Sequence, residues 1–130
     1  MKILVGYSGT NVGKDLLELA AEHARAFAGE IVLLTSMPGG DKTTREQVIE
    51  AEKNLDNAKK FLDKLGLKNE THLLIRGKSP GEDLVEYASE NNCYEIIIGV
   101  KSRSKVGKIL FGSTAQFVIL KSSCPVVSVK

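Results

Sequence analysis

Short apolar runs alternate along this chain with helical patterns, and this alternation constrains the fold more than any other feature of the sequence. The runs are rich in β-branched residues and are bounded by Gly, Pro, Ser or Thr, as strands are. They are Ile3–Val5, Ile31–Leu34, Leu73–Ile75, Ile96–Ile98 and Val126–Val129. The first four are continuously apolar, which is typical of strands that are buried on both faces in a parallel sheet.

Between these runs, apolar residues recur at steps of three and four, which predicts helices. Two of these helices are predicted to end near Gly29 and Gly66, and two more to cover 79–91 and 113–121. Ser79, followed by Pro80 and Glu82, has the pattern of a capped helix start. The sequence therefore predicts one α/β domain over 1–130, a doubly wound parallel sheet with helices on both faces.

Charge is distributed unevenly along the chain. No acidic residue follows Glu95, whereas six basic residues do, four of them within 101–108. This pattern predicts a local anion site rather than a broadly basic surface. Trp is absent and aromatic residues are 5%, so we expect no nucleic-acid partner that depends on base stacking. No apolar run approaches the roughly 20 residues of a membrane helix, so we expect no membrane partner.

A glycine-containing stretch joins the predicted fourth strand to the last helix. Gly99 follows the apolar run, and Gly112, Ser113 and Thr114 stand at the predicted start of the helix. The amino terminus of a helix carries free N–H groups and a partial positive charge, and therefore binds phosphate well. Ser113 and Thr114 would add hydroxyl donors, and Arg103 with its basic neighbours would add charge. This arrangement favours a phosphate site over a basic loop with a capped helix.

The same residues resemble the universal stress protein family. Its hallmark is a glycine, two residues, a second glycine, nine residues, and then glycine with Ser or Thr. Here the stretch runs from Gly99 through Ser102 to Gly112 and Ser113. The resemblance extends over the whole chain through three other segments: Ile3–Thr10, the Gly77-x-x-Pro80 turn, and the ending Cys124–Val129.

The resemblance implies the sheet order 3-2-1-4-5 and the binding of ATP or another adenine nucleotide, with or without Mg²⁺. Adenine is expected near Ser36 and Ile98, and ribose near the turn after the first strand. The implied nucleotide-binding residues are Gly6, Tyr7, Ser8, Ser36, Ile98, Gly99, Ser102, Arg103, Gly112, Ser113 and Thr114.

Two positions depart from the family pattern. Ser102 replaces the second glycine, and its Cβ would crowd a close approach of phosphate to the backbone. Ser8 replaces the usual aspartate after the first strand. A carboxylate accepts two ribose hydroxyl protons, whereas serine offers one short hydroxyl. The substitutions predict nucleotide binding that is weakened or altered.

No residue pattern predicts catalysis or a metal site. Ser8 lies in a strand-to-helix turn like that of a serine nucleophile, but Thr10 replaces the glycine that such a turn requires. We therefore expect a regulatory stress-response protein that binds adenine nucleotide. The alternative is a nucleotide-free interaction module of the same fold, with a slow ATPase as a third reading.

The ending of the chain predicts a homodimer. The resemblance places the last strand at the sheet edge, and no charge or proline interrupts the segment containing Val126, Val127 and Val129. We expect this edge to pair with a second copy, in addition to a protein partner that the sequence does not name. Met1 leads directly into the first strand, and Cys93 and Cys124 suit a reducing compartment, so a cytoplasmic location is expected.

Overall fold

A parallel sheet in the order β3-β2-β1-β4-β5 organises the computed structural model, which describes residues 1–9, 11–100 and 112–130. Its strands are β1 (Lys2–Gly6), β2 (Glu30–Met37), β3 (Asn69–Ile75), β4 (Glu95–Gly99) and β5 (Val126–Val129). Strand β1 pairs with β2 on one side and with β4 on the other. The predicted fold class and strand order are both confirmed.

Four α-helices connect the strands within the described ranges: α1 (Asn11–Phe27), α2 (Arg45–Lys64), α3 (Pro80–Glu90) and α4 (Ser113–Lys121). A short 3₁₀ helix, Gly40–Lys42, precedes α2. The predicted start of α3 is confirmed, because the Ser79 side chain accepts a hydrogen bond from the Glu82 amide and the Glu82 side chain accepts one from the Ser79 amide. None of the helices in the described ranges is long and apolar enough to cross a membrane.

The helices cover both faces of the sheet and create two cores. Side chains that alternate along β1 divide between them: Ile3 and Val5 pack under α1 and α2, whereas Leu4 packs under α3 and α4. All three are fully buried. Burial on two sides thus explains the continuous apolar runs of β1, β2 and β4. It does not hold for the run Leu73–Ile75, because β3 lies at the edge of the sheet, where its residues are only partly buried and Ile75 is exposed.

The order of the strands reverses beside β1, since the chain passes from β1 to β2 on one side and enters β4 on the other. Loops at the carboxyl ends of the strands diverge at such a point and leave a crevice for ligands. The loop after β1 is attached to β2 by two hydrogen bonds. The Tyr7 amide donates to the Leu34 carbonyl at 2.9 Å, and the Thr35 hydroxyl donates to the Tyr7 carbonyl at 2.6 Å.

Candidate functional site

A cleft of about 620 Å³ opens at the carboxyl edge of the sheet. It lies between the ends of β1 and β2 and the first half of α2. Its lining consists of Ser8, Thr35, Ser36, Met37, Pro38, Lys42, Thr43, Glu46, Gln47, Glu50, Ala51 and Asn54. The volume falls within the range of small-molecule sites, and the lining combines apolar atoms with several hydrogen-bonding groups.

The structure brings two of the predicted nucleotide-binding residues together in this cleft. Ser8 follows the end of β1 by two residues, and Ser36 is the penultimate residue of β2. Both line the cleft. Residues from distant parts of the sequence therefore meet because the carboxyl ends of β1 and β2 are neighbours in the sheet.

Three more predicted residues lie at the adjoining ends of β1 and β4. Gly6 ends β1, and Ile98 and Gly99 end β4. A Cβ added to Gly6 would lie 3.4 Å from Cγ2 of Ile98 and 2.9 Å from Cδ1 of Leu84. The absence of a side chain at Gly6 thus allows the strand ends and α3 to pack closely.

The start of α4 carries the next group of predicted residues. Gly112 is the N-cap with φ −68° and ψ 164°, and Ser113 and Thr114 are the first helical residues. Ala115, in the same turn, packs in one core with Ile98 and thus holds α4 over the β4 side of the sheet. Helix starts of this kind leave N–H groups without intrahelical partners, which suits an anion. Ser102 and Arg103 lie in 101–111, outside the described residues.

Tyr7 has its side chain in a different groove. This second groove, about 330 Å³ in volume, is lined by Tyr7, Lys14, Leu17, Asn57, Ala58 and Phe61. Burial there raises the pKa of the Tyr7 phenol above its ordinary value, so the hydroxyl stays protonated at neutral pH. The first-strand turn therefore offers the cleft the side chain of Ser8 rather than that of Tyr7.

A buried carboxylate supports the end of β2, and no local pattern in the sequence indicates it. Asp83 on α3 is fully buried. Its Oδ2 accepts a hydrogen bond from the Ser36 hydroxyl at 2.5 Å, and its Oδ1 accepts one from Nε of Arg76 at 2.8 Å. The bond to Asp83 raises the pKa of Arg76. Because its hydroxyl proton is engaged by Asp83, Ser36 has its backbone groups and the lone pairs of its hydroxyl left for other partners in the cleft.

Polar residues of α2 form the outer wall of the cleft. Glu46, Glu50 and Asn54 recur every four residues and all line the cleft, so they follow one face of the helix. From sequence, Glu46 and Glu50 are interpreted as ordinary solvated charges of an exposed face. The regular spacing of three polar residues directly after the β2 loop was the signal that could have identified this wall.

The described residues contain no group of three or more His, Cys, Asp or Glu side chains placed to hold a metal ion. Any Mg²⁺ that accompanies a nucleotide would therefore find no protein cage in residues 1–9, 11–100 and 112–130.

Comparisons with known proteins support this fold. The sequence model of the Universal stress protein family matches residues 1–130. A solved universal stress protein from Archaeoglobus fulgidus is 38% identical, with a TM-score of 0.90 over 99% of this chain and 97% of that chain.

A second solved structure is the universal stress protein from Archaeoglobus fulgidus in complex with dAMP. It is 35% identical, with a TM-score of 0.83 over 99% of this chain and 96% of that chain. A universal stress protein of Methanocaldococcus jannaschii is 26% identical over 140 residues, which cover 99% of this chain and 81% of that protein.

Proposed function

Because the chain belongs to the universal stress protein family, we propose that it binds an adenine nucleotide at the carboxyl edge of its sheet. The observation that carries this proposal is the complex of the Archaeoglobus fulgidus protein with dAMP, since that protein is 35% identical over 99% of this chain. The cleft beside Ser8 and Ser36 supports it, because its volume suits a nucleoside. The family name further suggests a regulatory role in a stress response.

In this proposal the nucleoside occupies the cleft and the phosphates extend toward β4 and α4. Ser8 contacts ribose, and the end of β2 at Ser36 contacts adenine. The phosphates meet Gly99 and the amides and hydroxyls of Ser113 and Thr114 at the start of α4, where the helix dipole favours negative charge.

Two further residues and a metal ion are proposed to contact the phosphates. Ser102 and Arg103 would add a hydroxyl and a positive charge there. Any bound Mg²⁺ would be held by phosphate oxygens and hydroxyl groups, and it would screen the phosphate charge. The proposal assigns no catalytic residue, and ATP hydrolysis remains the least supported activity.

A nucleotide-free interaction module is the second candidate function. Ser8 favours it, because a serine in place of the family's aspartate removes one acceptor for ribose. Both candidates are compatible with a homodimer through β5, which we propose from the half-buried Val126, Val127 and Val129 at the edge of the sheet. Leu120 on α4 is 79% exposed and adds apolar surface to the same end of the chain.

A charge introduced at the start of α4 tests the proposed site, and titration calorimetry with AMP measures its effect on binding. Gly112 has extended backbone angles, so other residues can adopt them, and Asn and Asp are both good N-caps. The variants Gly112→Asn and Gly112→Asp are therefore a matched pair that differs in charge. A carboxylate roughly 6 Å from a dianionic phosphate should weaken binding by roughly 10- to 100-fold at an effective dielectric constant of about 40–80.

We expect Gly112→Asn to bind AMP with nearly wild-type affinity and Gly112→Asp to lose most of the binding. Equal binding by the two variants would place the phosphate elsewhere. A wild-type protein that binds no adenine nucleotide would favour the interaction module.

A further inference from the structure

The cleft contains a carboxylate that can do what Ser8 cannot. A ribose presents two neighbouring hydroxyl donors, and a carboxylate has two oxygens to accept them. Ser8 supplies one hydroxyl, but Glu50 on α2 lines the same cleft from the opposite wall. We propose that Glu50 is the acceptor for the ribose 2′ and 3′ hydroxyls, so that it determines the preference for ribose over sugars that lack them. This inference rests on the proposed function.

The position of α2 relative to the loop after β1 supports this role. A Cβ added to Gly9 would lie 2.3 Å from Nδ2 of Asn54, so Asn54 is in close contact with the residue that follows Ser8. Glu50 precedes Asn54 by four residues on the same face, which is about one turn or roughly 6 Å along the helix. Glu50 therefore lies one turn from the contact with Gly9, toward the start of α2.

The other acidic residue of this wall is less well placed. Glu46 is a further turn from Asn54, roughly 12 Å along the axis, beside the loop that contains Lys42 and Thr43. A sugar in contact with Ser8 would meet Glu50 before Glu46. Helical spacing and the contact between Asn54 and Gly9 thus place Glu50 nearer than Glu46 to the loop that carries Ser8.

The Glu50 carboxylate is also available to a ligand. In the described parts of the chain it forms no ion pair, whereas Asp56 and Asp63 on the same helix pair with Lys60 and Lys59. Among the described residues, no cation competes with a ligand hydroxyl for Glu50. Hydrogen bonds to a charged acceptor contribute more than bonds between neutral groups, which makes the choice of sugar sensitive to this side chain.

The test compares two nucleotides and two variants by titration calorimetry. AMP carries both ribose hydroxyls, whereas 2′,3′-dideoxyadenosine monophosphate carries neither. Glu50→Gln removes the carboxylate of Glu50 and leaves that of Glu46 in place. Glu52→Gln makes the same change at an exposed position of α2 outside the cleft lining and is the matched control.

We expect Glu50→Gln to weaken AMP binding by roughly 10-fold, because it removes the charged acceptor of two hydrogen bonds. Binding of the dideoxy nucleotide should stay the same or tighten slightly, since a negative charge is removed near an anionic ligand. Glu52→Gln should leave both affinities within about twofold. Adding Ser8→Asp to Glu50→Gln should restore the preference for AMP by returning a carboxylate to the cleft.

Failure of this inference differs from failure of the proposed function. If Glu50→Gln binds AMP like the wild type, or weakens binding of both nucleotides equally, Glu50 does not bind the ribose hydroxyls and the inference is wrong. In both cases the wild type still binds AMP and the proposed function stands. A wild-type protein that binds neither nucleotide overturns both.

Discussion

The loop after β1 makes a close contact with α2 that a single methyl group should disturb. Gly9 has a φ of +75°, and an added Cβ would lie 2.3 Å from Nδ2 of Asn54. Gly77 has nearly the same φ, +76°, but no heavy atom of the described residues lies within 4 Å of its added Cβ. Gly77→Ala is therefore a matched control that introduces the backbone strain without the contact.

The two variants should differ by the cost of moving Asn54. An alanine in the left-handed region costs about 1–2 kcal/mol. About 0.4–1 kcal/mol of this is offset because the unfolded chain loses freedom when glycine is replaced. We therefore expect Gly77→Ala to lower the free energy of unfolding by about 1 kcal/mol. Gly9→Ala should lose roughly 1–3 kcal/mol more, as is usual for overpacking.

Urea denaturation measures these differences through the shift of the midpoint at constant slope. Part of the additional loss in Gly9→Ala should disappear in an Asn54→Ala background, since Nδ2 and Cγ are then absent, whereas Cβ of residue 54 stays 2.9 Å from the added methyl group. Equal destabilisation by Gly9→Ala and Gly77→Ala would refute the contact. So would a double variant that recovers none of the additional loss, and either result would weaken the inferred position of α2 over the cleft.

Three further predictions concern other parts of the fold. Val127→Lys should convert a dimer paired through β5 to a monomer at micromolar concentration, with an unchanged helical circular-dichroism signal. Light scattering measures the change, and a wild-type protein that is already monomeric would contradict the pairing. Ser79→Ala should cost about 1 kcal/mol by removing the α3 cap. The backbone amide and the side chain of Ser79 both lower the pKa of Glu82, and alanine keeps the amide. In urea denaturation, the part of the stability difference that the side-chain bond contributes should be full near pH 7 and decrease as the pH falls through that lowered pKa. Burial raises the pKa of Cys93 to about 11. Mass spectrometry should therefore show that Cys93 is alkylated more slowly at pH 8 than the half-exposed Cys124. Equal rates of alkylation in the folded protein would be evidence against the burial of Cys93.

Local patterns in the sequence were sufficient to predict the five strands and four α-helices of the described residues, although β3 begins at Asn69, before its apolar run, and the short 3₁₀ helix was not predicted. The Ser79 and Glu82 capping pair predicted the start of α3 to within a residue, because a cap is made by neighbours in the chain. The continuous apolar run Ile96–Ile98 predicted a central strand, since burial on both faces requires apolar residues at every position. The strand order came from the family resemblance, because local patterns do not specify which strands are neighbours.

The walls of the candidate site could not be predicted in the same way. Asp83 on α3 bonds to Ser36 across 47 positions of sequence, and no local spacing indicates that pairing. From sequence, Glu50 resembles any other solvated helical charge, and its position in the cleft follows from how α2 packs beside the loop after β1. The phosphate end stays a prediction, and it could be proposed from sequence because the residues from Gly99 to Ser113 form a motif that is contiguous in sequence.

Amide chemical shifts recorded during titration with AMP test the central claim most directly, because they report binding and its location together. We predict that the perturbed amides will be those at the carboxyl edge: Ser8, Ser36, Gly99, Gly112, Ser113 and Thr114. Amides at the opposite edge, such as those of Lys2, Glu30 and Glu95, should be unaffected. Saturable shifts confined to that opposite edge, or no shifts at millimolar AMP, would contradict the account.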